Sequence, residues 1–195
     1  MKNLQTFKPI EKYDYYPTAV NSVVSTSESV FLNTRDRSSY SSNLMKFDNK
    51  LIEQGSVKIP SFSYYPDMLS FGDSVYILAH KRNNELSLIT IGSNLESVKT
   101  GEILSDLCKP SSPNDNYKLT ELNGELLVVE IKKNLTDNLE TNTITIISLK
   151  EKLMISKTEI SKINNLNIKL TDKYLFIGGD FEKILKVDNE VFNLN

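Results

Sequence analysis

The chain has 195 residues, 39% of them apolar and 25% charged, which suffices to bury a core in one domain or two small ones and is unlike a disordered segment. A formal net charge of −2 gives no basic footprint for nucleic acid, and with Cys108 as the single cysteine neither an intrachain disulfide nor a Cys-based zinc site is expected. The N-terminus lacks an apolar signal core and nowhere do eighteen apolar residues run together, so the expectation is a soluble, cytoplasmic protein without membrane contact.

In chain order, F-K-P-I (7–10) lies 49 positions before S-V-K-I (56–59), and each is followed by Tyr-Tyr-Pro, at 15–17 and 64–66. The first unit then offers four strand-like runs at 18–24, 27–32, 43–52 and 56–60. The second has D-M-L-S-F (67–71), G-D-S-V-Y-I-L-A (72–79), L-S-L-I-T-I-G-S-N-L (86–95) and S-V-K-T-G-E-I (97–103). The third has Y-K-L-T-E-L (117–122), N-G-E-L-L-V-V-E (123–130), I-T-I-I-S-L-K-E-K-L (144–153) and I-S-K-T-E-I (155–160). In the fourth, L-N-I-K-L (166–170) and T-D-K-Y-L-F-I-G (171–178) precede K-I-L-K-V-D-N-E-V-F (183–192), which matches 43–52 by residue type.

Turn residues Glu28, Asp73, Gly124 and Asp172 align the units at spacings of 45, 51 and 48. Proline-free runs rich in Val, Ile, Leu, Phe and Tyr suit buried strands, and the alternating last run of each unit suits an outer edge. Four short strands repeated at this period resemble the β-propeller superfamily. The chain carries neither the Trp-Asp signature of WD40 repeats nor the double glycine of Kelch repeats at its usual place, since Gly178-Gly179 occurs once and after a strand.

The resemblance implies an all-β, β-propeller-like single domain with four blade repeats. Their bounds are 13–62, 63–112, 113–162 and 163–195, with residues 4–11 as a closing outer strand. A closed four-bladed ring, a half-ring completed by a second copy and part of a longer protein are all compatible with it. Tyr15, Tyr16, Tyr64 and Tyr65 are expected to pack between blades.

No catalytic or metal motif stands out, and no cofactor is implied. His80 is the only histidine and lacks a companion for base or ligand work, so it reads as a strand-end residue. Cys108 lacks a paired base and reads as a small apolar residue. Asp48, Asp73, Asp172 and Asp188 lack calcium-loop spacing and read as turn formers. Asp36, Glu130 and Asp180 are placed where they could face a common mouth, without the paired spacing that hydrolysis uses.

Long irregular connections are expected at 34–43, 108–117 and 132–142, the first and third emerging on one face. They supply the candidate binding residues Arg35, Arg37, Tyr40, Lys132, Lys133 and Asn134. The functional expectation is a non-catalytic interaction or scaffold module whose partner is another protein, self-association included. A carbohydrate- or small-ligand-binding propeller is the alternative, and a hydrolase or lyase using a central channel the third reading.

Overall fold

The computed structural model describes residues 18–36, 41–60, 62, 65–80, 85–102, 116–136, 139–161, 163–170 and 175–181. Among them there is no helix. β1 (Thr18–Ser25), β2 (Ser29–Asp36), β3 (Ser42–Asp48) and β4 (Glu53–Ile59) form a four-stranded antiparallel meander. A second consists of β5 (Met68–Phe71), β6 (Ser74–His80), β7 (Leu86–Gly92) and β8 (Val98–Glu102). A third consists of β9 (Asn116–Leu122), β10 (Glu125–Thr136), β11 (Leu139–Ser148) and β12 (Leu153–Ser161). The hairpin of β13 (Ile163–Leu170) and β14 (Leu175–Phe181) opens a fourth.

The sheets stand face to face with their first strands adjacent: β1 neighbours β5, β5 neighbours β9, and β9 neighbours β13. Side chains alternate along a strand, so each inner sheet sends one set of residues to each neighbour. On β6, Val75, Ile77 and Ala79 join Phe31, Leu44 and Ile59 of the first sheet in one core. Leu78 on the opposite face joins Tyr117, Leu119, Val128 and Ile147 of the third sheet in another. Burial on both faces explains why S-V-Y-I-L-A reads as an almost continuous apolar run. A third cluster, including Leu127, Val129, Ile131, Ile144 and Ile146, lies on the far face of the third sheet.

Turns repeat as well as strands. Asp48–Leu51 and Gly92–Leu95 are each closed by the last residue's N–H donating to the first residue's carbonyl, at 3.0 and 2.8 Å. Leu51, Leu95 and the equivalent Lys152 all adopt left-handed backbone, with φ of 63°, 67° and 53°. A turn ending in a left-handed residue matches strand twist and leaves a bulge, seen as register shifts at Lys46/Phe47 and Ile146/Ile147. The Asp48 carboxylate accepts from the N–H groups of Lys50 and Ile52 at 2.8 and 2.9 Å, so this acid forms the turn it was expected to form. Asn123 and Gly124, with φ of 52° and 77°, form the two-residue turn that joins β9 to β10.

The structure corrects three sequence expectations. Residues 132–142 are not an irregular insertion: β10 and β11 stay paired out to Thr136 and Leu139, so Lys132, Lys133 and Asn134 are strand residues. The polar run looked like a loop, but its residues continue the antiparallel register of the apolar residues before them, Lys132 opposite Thr143 and Asn134 opposite Thr141. The first insertion is likewise shorter than expected, since Thr34, Arg35 and Asp36 belong to β2 and Ser42 and Asn43 to β3. Gly178 and Gly179 lie inside β14 and not after a strand. The expected closing strand at 4–11, the 183–192 run, Tyr15, Tyr16, Tyr64, Cys108, Asp172 and Asp188 lie outside the described residues.

Candidate functional site

In an antiparallel meander the turn between the second and third strands emerges at the same end as the linker to the next sheet. Arg35, Asp67, His80 and Tyr117 therefore gather at this linker end, in the seams between sheets.

The first seam, between the first and second sheets, is apolar at one end and polar at the other. Away from the linkers, Val24 and Phe31 pack with Val75, Ile91 and Leu95, and the Lys46 ammonium lies 5.8 Å from the centre of the Phe31 ring. A Cβ at Gly55 (φ 154°) would meet Leu95 Cδ1 at 3.6 Å, which marks how closely the second sheet's turn approaches β4. Toward the linkers the same face changes character. Ser22 pairs across from Asn33, and Arg35 across from Ser42. On the facing sheet Ser87 stands opposite Ala79.

Asn33, Ser42 and Ser87 are each 0% exposed. Neither the Asn33 carboxamide nor the hydroxyls of Ser22, Ser42 and Ser87 have a hydrogen-bond partner, and they are the whole set of such buried polar atoms among the described residues. All lie on the faces that the first two sheets turn toward each other. The linker between those sheets covers this end. Phe62 and Tyr65 pack onto the same core edge to face, 6.2 Å apart at 86°. The Tyr65 hydroxyl donates to the Pro60 carbonyl at 2.6 Å and accepts from the Phe62 N–H at 3.3 Å. Tyr65 thus packs between sheets, as the sequence led us to expect.

The second seam, between the second and third sheets, is charged and satisfied. Glu130, 3% exposed, accepts on Oε1 from the Tyr117 hydroxyl at 3.1 Å, and the Lys132 ammonium lies 2.9 Å from the same oxygen. Asp67 ties the sheets together: its carbonyl accepts from the Leu78 N–H at 2.9 Å and its carboxylate from the Leu119 N–H at 2.8 Å. Burial pushes the Asp67 carboxyl above the ordinary carboxylate range, against the opposing pull of the Leu119 N–H, Lys118 and the Met68 N–H. His80 closes β6 opposite Leu86, on the face that Leu78 turns to this seam. Glu130 is therefore not at a mouth, as its position after an anchor strand suggested. It is buried, and its Oε1 holds both Tyr117 and Lys132.

The candidate binding residues do not form one cluster. Arg35 lies on β2 with its neighbours in the first seam, whereas Arg37 and Tyr40 fall outside the described residues. Lys132, Lys133 and Asn134 lie on β10, where Lys133 is exposed and the Asn134 amide donates to Thr143 Oγ1 at 2.5 Å. Sequence reading missed the first seam's polar group entirely. Its signal was present as single small polar residues inside apolar strands, V-F-L-N-T and L-S-L-I-T-I. Asp67 was missed too, hidden in what was read as strand.

The described residues contain no group of three or more His, Cys, Asp or Glu placed to hold a metal ion. Nor do they contain a helix long and apolar enough to cross a membrane.

No family model matches the chain, and the curated proteins searched contain nothing similar to it. Among solved structures it is similar to the acylaminoacyl peptidase of Pyrococcus horikoshii, a propeller-type peptidase, with a TM-score of 0.55 and 9% identity over 86% of this chain. The chain has a β-propeller-like fold. In a propeller the three complete sheets are blades, and β13–β14 opens a fourth. A bifunctional GH43-CE protein of Bacteroides eggerthii is also similar, with a TM-score of 0.46 and 14% identity over 77% of this chain. The chain spans 29% of the peptidase and 21% of the GH43-CE protein. At such identities the likeness bears on fold alone, and the blades' chemistry has to be read from their own residues.

Proposed function

We propose that the chain is a non-catalytic interaction module that captures an extended, acidic segment of another protein along the linker end of its blades. One observation carries the reading. β10 and β11 stay paired out to Thr136 and Leu139, a ribbon that presents exposed Lys133 at the linker end of the third blade. Extended segments of partner proteins dock on strands through backbone contacts and alternate side chains. Exposed Lys133 sets the ribbon's charge, Lys132 being held by Glu130, and this favours an acidic partner and disfavours a basic one.

The second blade seam supports the non-catalytic reading. Its buried carboxylates hold protein donors, and Glu130 has both its partners within the same seam. Arg35, Arg37 and Tyr40 are proposed as a second contact region, on the equivalent hairpin of the first blade.

Selection from a displayed random-peptide library tests the reading. Acidic peptides of extended character are expected to be enriched, with capture falling about tenfold in Lys133→Glu, in line with loss of one desolvated charge contact. Capture that is indifferent to Lys133→Glu, and to joint replacement of Arg35, Arg37 and Tyr40 by alanine, overturns it.

A further inference from the structure

Each later blade turns a row of apolar residues, one from each of its first three strands, toward the blade before it. In the second blade the row is Met68, Ile77 and Ile89, in register with one another and packed on the first blade. In the third it is Leu119, Val128 and Ile147, packed on the second. Strand register puts Val23, Leu32 and Met45 in the same row of the first blade. Their chain neighbours Val24, Phe31 and Leu44 face the second blade, so this row points the other way. Val30 and Phe47, paired across β2 and β3 as Val75 and Ile91 are across β6 and β7, extend the same face. The difference lies in cover. Met68 and Leu119 are 5% and 6% exposed, whereas Val23 is 57% and its strand neighbour Val20 55% exposed.

A turn carries the same signal. Leu51 and Leu95 hold equivalent places, both in left-handed backbone, a conformation that leucine adopts only at a cost. Leu95 uses it to pack on the blade before, beside Gly55. Leu51 keeps the conformation but is 48% exposed.

From these features we infer that the outer face of the first blade is a further seam, covered by a blade from a second copy of this chain. The matching rows identify the kind of occupant, since in both seams such a row packs on the opposite face of another sheet of this chain. The chain's own fourth hairpin is engaged at the other end of the series, where β13 adjoins β9. A sheet from another copy continues the series with no new kind of contact. Val23, Val30, Leu32, Met45 and Phe47 bring no charge to be desolvated, in keeping with the apolar core of a homodimer interface. Each copy gives one such face and receives one, so the contact forms twice about a two-fold axis and closes.

Sedimentation velocity of the full chain across the micromolar range tests the inference. A dimer is expected. Joint replacement Val20→Lys and Val23→Lys is expected to weaken it about a hundredfold, because the interface would bury two unpaired like charges. Both side chains are exposed in the single chain, so its circular dichroism is expected to stay as it is. If that variant folds poorly, Leu51→Asn serves, since asparagine keeps the left-handed turn, and about fivefold weakening is expected. Leu153→Lys with Ile155→Lys, on apolar residues of β12 exposed to a similar degree, is expected to leave the dimer unchanged. So is Lys133→Glu, which separates this face from the ribbon of β10 and β11. A chain that stays monomeric throughout overturns the inference, as it would if its own fourth blade covered the face. A dimer indifferent to the changes at Val20, Val23 and Leu51, or one broken by those at Leu153 and Ile155, overturns it as well.

Discussion

The two seams between the complete blades use the same geometry for opposite chemistry. Both place polar residues at the linker end and apolar ones beyond. In the second seam the polar residues are charged and paired: Glu130 holds Tyr117 and Lys132, and Asp67 holds the Leu119 N–H. In the first, Ser22, Asn33, Ser42 and Ser87 are neutral, and their buried polar side-chain atoms have no partners. A seam that meets all its own hydrogen-bonding demands acts as a fastener between blades. A seam that does not is held in shape by the apolar packing beneath it. Sites where local rules are broken at a cost in stability are where function concentrates.

The difference is sharpest in stability. Glu130→Ala is expected to cost about 3 kcal/mol, because it removes the buried carboxylate that accepts from the Tyr117 hydroxyl and pairs with Lys132. Urea unfolding checks this, and a loss below about 1 kcal/mol would mean that the second seam does little fastening. The corresponding change in the first seam has the opposite sign. Asn33→Leu replaces two unpartnered polar atoms with apolar volume of similar size, so the same assay is expected to show a gain of up to about 1 kcal/mol. A loss of several kcal/mol there would show that the carboxamide is satisfied in solution, and the contrast between the seams would collapse.

The smallest effect concerns pH. Asp67 has a raised folded-state pKa, so above the ordinary carboxylate value of 3.8 the folded chain holds a proton that the unfolded chain releases. Its contribution to stability is thus fully present below that value and is lost as pH rises through the raised value. Asp67→Asn is expected to remove this part of the decline, leaving a flatter stability curve as pH rises above 3.8. Asn33→Leu, with no titrating group, is expected to leave the curve's slope as it is. A wild-type curve that rises steadily over this window, unchanged by Asp67→Asn, would contradict the burial of the carboxyl.

Much of the fold was legible because strand repetition is written in local terms. Spacings between turn residues located the hairpins β1–β2, β5–β6 and β9–β10, and the apolar runs located the strands that fill the cores. The exceptions have a common cause. The ribbon at 132–142 is polar along its length, and polarity by itself does not distinguish a paired strand from a loop. Glu130 looked like a rim residue because the sequence does not reveal that Tyr117 stands opposite it across β9 and β10. Lys132, two residues on along the same face of β10, completes that pair.

Tyr65 shows the division most directly. Its repetition in Tyr-Tyr-Pro marked a linker between units, and spacing alone placed it between blades. Only the fold reveals that it covers the end of a seam whose hydroxyl and amide groups face one another from two sheets. The amino-acid sequence by itself determined the strands, their turns and the four-strand rhythm, because those depend on neighbours a few residues apart. The tertiary structure decided which polar residues are paired and which are left open. Ser22, Asn33, Ser42 and Ser87 come from four strands in two blades, and whether a buried atom finds a partner depends on packing between sheets.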